Sequence, residues 1–322
     1  MSALAPVTVA PMMAYTDRHC RYLLRLVSPS VGLFTEMVTT DALLHGQPDR
    51  RLAYHPHEHP VALQLGGNDP QALAHCAQLA AQAGYDEVNL NVGCPSERVQ
   101  QGLIGACLMA QPELVARAVA AMRDRVSIPV TVKCRLGIDD QVSDNFLDSF
   151  VGAVASAGCE TFYVHARIAL LNGLSPAQNR SIPPLRHDRV LALKRRFPQL
   201  SIVLNGGIAD ASQAAALLRD CDGVMIGRAA YHNPMLLRQL HLRLHPDRET
   251  DSLEPAQLVS AFLPYMERQL ALGIPLKAMS RHLLGLFNGQ RGARAYRRLL
   301  SDQKRLAENR LGLVTEALSC VC

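Results

Sequence analysis

Eight short runs of apolar, largely β-branched residues recur through the first two-thirds of this 322-residue chain. They lie at Thr8–Pro11, Leu33–Glu36, Val61–Leu65, Glu87–Asn91, Val130–Lys133, Thr161–His165, Ser201–Asn205 and Gly223–Ile226. Segments with helical periodicity separate them, among them Pro70–Ala83, Pro112–Arg123 and Ala211–Arg219, with Asp69 and Ser212 where helix caps are wanted. Eight strands alternating with helices predict an α/β protein, a (β/α)8 TIM barrel. An open doubly wound sheet is the competitor. It is disfavoured because no G-x-G-x-x-G follows the first strand.

After Leu244 the alternation stops. His245–Pro255 is polar and Pro-containing and reads as a linker, and from Ala256 onward the pattern is helical without a strand signal. The expected organisation is a barrel over residues 1–244 and a small all-helical C-terminal domain over 256–322. Charge divides in the same way. Lys277, Arg281, Arg291, Arg294, Arg297, Arg298, Lys304, Arg305 and Arg310 stand against Asp302 and Glu308, a local +7 in a chain of net +5. A basic patch confined to one region points to a polyanionic partner. At helical spacing Arg291, Arg294 and Arg298 share a face, with Arg297 beside it. A solvated surface is the alternative.

The N-terminus lacks a basic, then apolar, leader, and no run of about 18 apolar residues occurs, so neither a signal peptide nor a membrane span is expected. Nine cysteines, an odd number in mostly apolar contexts, fit reduced thiols in the cytoplasm. Cys320 and Cys322 read as part of a loose tail. His55-Pro-His57-Glu-His59 has alternating imidazoles but reads as a solvated loop, and no metal is expected.

Active sites of such barrels sit at the C-terminal ends of the strands. Those ends carry Pro11-Met12-Met13, Glu36, Gln64, Asn89 and Asn91, Lys133 and Arg135, His165 and Arg167, Asn205-Gly206-Gly207, and Gly227-Arg228. Glycines after strands seven and eight let backbone N–H groups approach a phosphate, and Arg228 adds charge. A buried Lys133 needs an anion, either Glu36 or a charged cofactor ring. His165 is a core histidine or a ligand contact. Cys94 sits in Asn91-Val-Gly-Cys-Pro-Ser96, where Gly93 and Pro95 form a tight turn that presents the thiol. It is a packed thiol or a general acid, since a thiol is mostly protonated near neutral pH.

Together APMMAYTDRHCR, LFTEMVTT, HPVALQLGG, YDEVNLNVGCPSERVQ, GACLM, PVTVKCRLGID, VHAR, NRSIPPLRHD, LNGGI and GVMIGRAAY resemble the tRNA-dihydrouridine synthases from about residue 7 to at least residue 300. They look most like the A-type branch, which reduces uridines 20 and 20a of the tRNA D-loop. The resemblance implies an FMN-bearing barrel, NADPH as transient reductant, and a helical tRNA-binding domain. It places Pro11, Met12 and Met13 along the isoalloxazine and Gln64 and Lys133 at its polar edge. His165, Asn205, Gly206, Gly207, Gly227 and Arg228 fall around the ribityl phosphate. It makes Cys94 the donor of a proton to uracil C5 after hydride reaches C6, sets Asn91 against the base or ribose and Arg135 near the base edge, and matches Arg180, Arg294 and Arg297 to tRNA contacts. Ala177 departs from the pattern, which has a lysine there and so one more phosphate contact. A monomer is expected.

Overall fold

The β-branched runs become eight parallel strands: β1 Val7–Val9, β2 Leu33–Thr39, β3 Val61–Gly66, β4 Glu87–Val92, β5 Val130–Arg135, β6 Thr161–His165, β7 Ser201–Asn205 and β8 Gly223–Ile226. They belong to a computed structural model that describes residues 4–251 and 253–321. Cys322, half of the expected tail pair, lies outside the described residues. The hydrogen-bonded order is β1-β8-β7-β6-β5-β4-β3-β2. A parallel bridge between Thr8 and Gly32 joins the two ends. There Val9 N–H donates to the Gly32 carbonyl and Gly32 N–H to that of Val7, both at 2.9 Å. The sheet is a TIM barrel, as the alternation predicts.

Several bounds differ from the sequence reading. β1 ends at Val9, so Pro11–Met13 lie in the loop beyond it, while β2 and β5 run further than their apolar cores. Asp69 caps Pro70–Gln82 as expected, its carboxylate accepting from Ala72 N–H at 2.7 Å. The cap of Ala211–Leu217 is Asp210 and not Ser212. Asp210 accepts from Gln213 N–H, and Ser212 is already inside the helix.

Side chains alternate along each strand with period two. One interior cluster is apolar: Ala10, Phe34, Ala62, Tyr163, Val203 and Met225. Other inward positions are polar and buried, including Gln64, Glu87, Asn89, Asn91, Thr131 and Asn205.

By contact the chain forms two compact units, one of residues up to Met13 and Gly32–Gly227, the other of Ala14–Val31 and everything from Arg228 onward. The division thus falls earlier than the polar stretch after Leu244. Arg228–His232 and Met235–Leu244 pack within the second unit, as does the early helix Arg18–Val27. Tyr22 on that early helix stacks on Tyr265 with ring centroids 4.0 Å apart. Asp17, its cap, accepts from His19 and Cys20 N–H and pairs with Arg281 at 2.5 Å. The longest helix of this unit, Pro255–Ala271, starts at a capping box of Glu254 and Gln257. Among the described residues no helix is long and apolar enough to cross a membrane.

Candidate active site

Cys94 lies just past β4, and its turn is held from three sides. Asn91 Oδ1 accepts from Gly93 N–H at 3.1 Å and Cys94 N–H at 3.0 Å. The Cys94 carbonyl accepts from Ala106 N–H at 2.9 Å. Arg135 Nε donates to the Gly93 carbonyl at 2.9 Å. The thiol keeps partial solvent access and has one weak polar neighbour, Ser96 Oγ at 3.6 Å. Backbone bonds rather than side-chain packing therefore place Sγ.

Lys133 lies two residues before the end of β5, and His165 ends the neighbouring strand β6. Lys133 Nζ donates to Asn205 Oδ1 at 3.1 Å, and Asn205 Nδ2 donates to the Met225 carbonyl at 2.7 Å. The lysine's hydrogen-bond partner is thus a neutral amide. Burial pushes its ammonium down to about 8, and the charge of Arg135 adds to that. Burial, then Arg135, Lys133, Arg167 and Arg180, hold the His165 imidazolium well below the usual histidine range. Its ring is therefore neutral near pH 7. Arg135 is pushed down to about 10 by burial and stays charged.

The donor set is cationic or neutral, at the end of a barrel where backbone can also approach a ligand. Gly206 has φ +106°, and a Cβ there would sit 2.5 Å from His165 Cδ2, so only glycine fits. At Gly227 nothing lies nearer than 3.9 Å to where a Cβ would be, the neighbours being Ala10 and Met12. Protein packing does not require glycine there. Met13 is 61% exposed beyond β1, an apolar face beside which a flat ring can lie. These features fit a phosphorylated, electron-rich aromatic cofactor.

The structure brings Gln64, Asn91, Cys94, Lys133, His165, Asn205, Gly206 and Gly227 to one end of the barrel. Gln64 is 1% exposed, and both ends of its amide are engaged: Nε2 donates to Asn89 and Oε1 accepts from Asn91, each at 2.8 Å. One N–H of Nε2 remains for a ligand. Arg135 departs from its expected place at a base edge. It is 3% exposed, and besides Gly93 its Nη1 donates to the Ile168 and Asn179 carbonyls, at 2.9 and 3.0 Å. It staples the loops after β4 and β6. Ala177 and Arg180 are exposed, the first just before and the second at the end of a single turn, Gln178–Arg180. In the second unit Arg228 opens a short helix and is exposed.

The expected arginine face is shorter than its spacing suggests. Gly292, at φ +80°, starts the helix Ala293–Leu299, so Arg291 precedes it and Arg294, Arg297 and Arg298 lie on it. A Cβ on Gly292 would strike the Cys320 carbonyl at 1.8 Å, which fixes that start. Of the basic residues, Arg281, Arg305 and Arg310 pair with Asp17, Glu316 and Glu308. Among the described residues no carboxylate pairs with Arg294, Arg297 or Arg298. The His55–His59 segment forms a turn, with His57 N–H donating to His55 Nδ1 and His59 pairing with Asp86 at 2.7 Å. No metal-holding cluster occurs among the described residues.

The family model of the dihydrouridine synthases matches residues 8–320. The chain is 54% identical over 315 residues to a protein of Escherichia coli (strain K12) named tRNA-dihydrouridine(20/20a) synthase, covering 98% of this chain and 91% of that one. The chain belongs to the dihydrouridine synthase family. A protein of the same name from Vibrio cholerae is 52% identical over 314 residues, covering 97% of this chain and 95% of that one. A dihydrouridine is a uridine whose C5–C6 bond has been saturated, so the chain is an oxidoreductase. A 2-naphthoyl-CoA reductase structure shares the fold with TM-score 0.56 at 11% identity, over 77% of this chain and 51% of that one.

Two interior residues of this site carry no signal in the strand-end reading: Glu87 and Thr131. Their sequence mark is a polar residue at every second position of a buried strand, Glu87-Val-Asn89-Leu-Asn91 for the first and Thr131-Val-Lys133 for the second. Burial raises the Glu87 carboxyl to about 7, while bonds from Thr131 and Tyr163 oppose the shift. The folded protein holds a proton that the unfolded chain releases between about 4.5 and 7. Stability is therefore greatest below that window and falls as pH rises through it. Glu87→Gln is expected to gain stability over the parent by up to about 3 kcal/mol between pH 5 and pH 8. Denaturant melts at the two pH values check this, and a pH-independent difference would refute it.

Proposed function

We propose that this chain reduces uridines 20 and 20a in the D-loop of tRNA, in the cytoplasm, with FMN as bound cofactor and NADPH as reductant. The observation that carries the reading is the juxtaposition of the Cys94 turn with Lys133 and His165 in a member of this family. Strand register sets Asn91, which holds the turn, opposite Lys133, and Arg135 Nε donates to the Gly93 carbonyl at 2.9 Å. Lys133 would meet the polar, electron-rich edge of the flavin together with Gln64, while Pro11, Met12 and Met13 cover its plane. His165, Gly206, Gly207 and Gly227 would hold the ribityl phosphate, with Asn205 orienting Lys133.

Reduced FMN, when bound, supplies the hydride that reaches uracil C6. The protein's own part is orientation and the proton. The target uridine must leave its stack to reach a barrel mouth. Asn91 fixes the turn so that the Cys94 S–H faces C5 and donates there. One hydride and one proton saturate C5–C6, and the thiolate regains its proton from solvent. The second unit supplies affinity through Arg294 and Arg297, while Arg180 adds charge on the first. Ala177 offers no cation at its exposed turn.

The direct experiment reconstitutes the purified chain with FMN, NADPH and unmodified tRNA transcript, then maps dihydrouridine by mass spectrometry. Product at positions 20 and 20a is expected. No flavin uptake, or no product with flavin bound, would end the reading. Arg294→Ala and Arg297→Ala are each expected to raise KM for tRNA and to reduce the salt slope of binding by about 1. Flavin reduction by NADPH is expected to stay unchanged. A slowed reductive step would contradict this division of labour.

A further inference from the structure

The barrel interior contains a chain of side-chain hydrogen bonds in which every donor from the Cys94 turn to Glu87 points the same way. Gly93 and Cys94 N–H donate to Asn91 Oδ1. Asn91 Nδ2 donates to Gln64 Oε1 and Gln64 Nε2 to Asn89 Oδ1, both at 2.8 Å. Asn89 Nδ2 donates to Thr131 Oγ1 at 2.8 Å, and Thr131 Oγ1 donates to Glu87 Oε1 at 2.7 Å. Tyr163 OH closes the far end on Glu87 Oε2 at 3.1 Å. All of these side chains are buried, Glu87 at 2% exposure. Strand register makes the chain continuous, because Gln64 lies opposite Asn89 on one side and Thr131 lies opposite it on the other.

We propose that Glu87 is a positioning residue for Cys94, acting through this one-way chain to keep Asn91 Oδ1, rather than Nδ2, against the two N–H groups of the turn. Glu87 Oε1 accepts from the Thr131 hydroxyl whether the carboxyl is ionised or keeps its proton on Oε2, so the single proton of Thr131 is committed to it and the Thr131 oxygen must accept from Asn89. Each amide then has one orientation that satisfies both neighbours. Without an acceptor at position 87 the Thr131 hydroxyl is free to donate to Asn89 instead. That orientation flips Asn89, then Gln64, then Asn91, and sets an NH2 group against two N–H donors. The reversed chain therefore leaves the Cys94 turn without its side-chain cap. The same flip exchanges the donor and acceptor that Gln64 offers to a ligand.

The consequence for catalysis rests on the reading of Cys94 as proton donor, but the chain can be tested without it. The flavin-loaded protein is compared with Glu87→Met, Glu87→Gln, Thr131→Val and the Glu87→Met/Thr131→Val double variant. The readouts are backbone hydrogen exchange in the 92–96 segment and the separation of kcat from KM for tRNA. Glu87→Met is expected to speed exchange in that segment by roughly tenfold, the scale of one net hydrogen bond, and to lower kcat at nearly constant KM. Glu87→Gln keeps an acceptor for Thr131 and a donor for Tyr163, so it restores both readouts. Thr131→Val cuts the chain one link higher, and adding Glu87→Met to it is expected to change nothing more. Unchanged exchange in a folded Glu87→Met protein, or additive effects in the double variant, would overturn the proposal. If Glu87→Met does not fold, Thr131→Val alone decides by the same exchange readout. Should Cys94→Ala retain activity while these exchange effects persist, the reading of Cys94 fails and the chain stands.

Discussion

Replacing Cys94 by alanine is expected to slow dihydrouridine formation by about 10²–10⁴-fold, the usual contribution of a positioned general acid. The loss is chemical rather than structural, because alanine keeps the backbone N–H groups that Asn91 Oδ1 holds and the carbonyl that Ala106 N–H meets. What disappears is Sγ and its weak contact to Ser96. Flavin content, tRNA affinity and flavin reduction by NADPH should remain at parental levels. Stopped-flow oxidation of the reduced variant by tRNA, followed by mapping of the product, isolates the affected step. Turnover close to the parent's would remove Cys94 from its role.

Lys133→Met is expected to weaken FMN binding roughly 10- to 150-fold, the equivalent of one charge-assisted hydrogen bond of about 1.5–3 kcal/mol. Methionine preserves the volume, and Asn205 Oδ1 loses the donor that holds it. The parent carries a pH signature as well. Burial has lowered the ammonium to about 8, so an electron-rich ligand meets a charged lysine below that value and a neutral one above it. Flavin affinity of the parent should therefore fall as pH rises through about 8, while that of Lys133→Met should stay flat. Fluorescence titrations between pH 6.5 and 9.5 test both statements. A parallel decline in the two proteins would assign the titration to another group.

Much of this site was legible from strand ends. Lys133, His165 and the Asn205-Gly206-Gly207 turn stand at the C-terminal ends of apolar runs, where barrel geometry gathers a site. Cys94 stood out because Gly93 and Pro95 mark a turn. The role of Arg135 was not legible in this way. A strand-end arginine reads as a ligand contact, but three loop carbonyls converge on it, and loop positions are not written in strand periodicity. Helical spacing sets Arg291 on the arginine face, but Gly292, whose left-handed backbone starts the helix after it, leaves Arg291 just outside.

By itself the amino-acid sequence determined the eight strands, the helices between them, the all-helical region after them and the concentration of positive charge in that region. All four follow from local patterning: apolar period, cap chemistry and charge count over neighbouring residues. Tertiary structure decided the rest. Only strand register sets Gln64 beside Asn89 and Asn89 beside Thr131, and so threads a hydrogen-bond chain from Glu87 to the Cys94 turn. Only packing joins Arg18–Val27 to the second unit, through the stacking of Tyr22 on a ring 243 positions along the chain, Tyr265. Such partners are distant in sequence, and no local pattern specifies which distant neighbour a buried polar or aromatic group will meet.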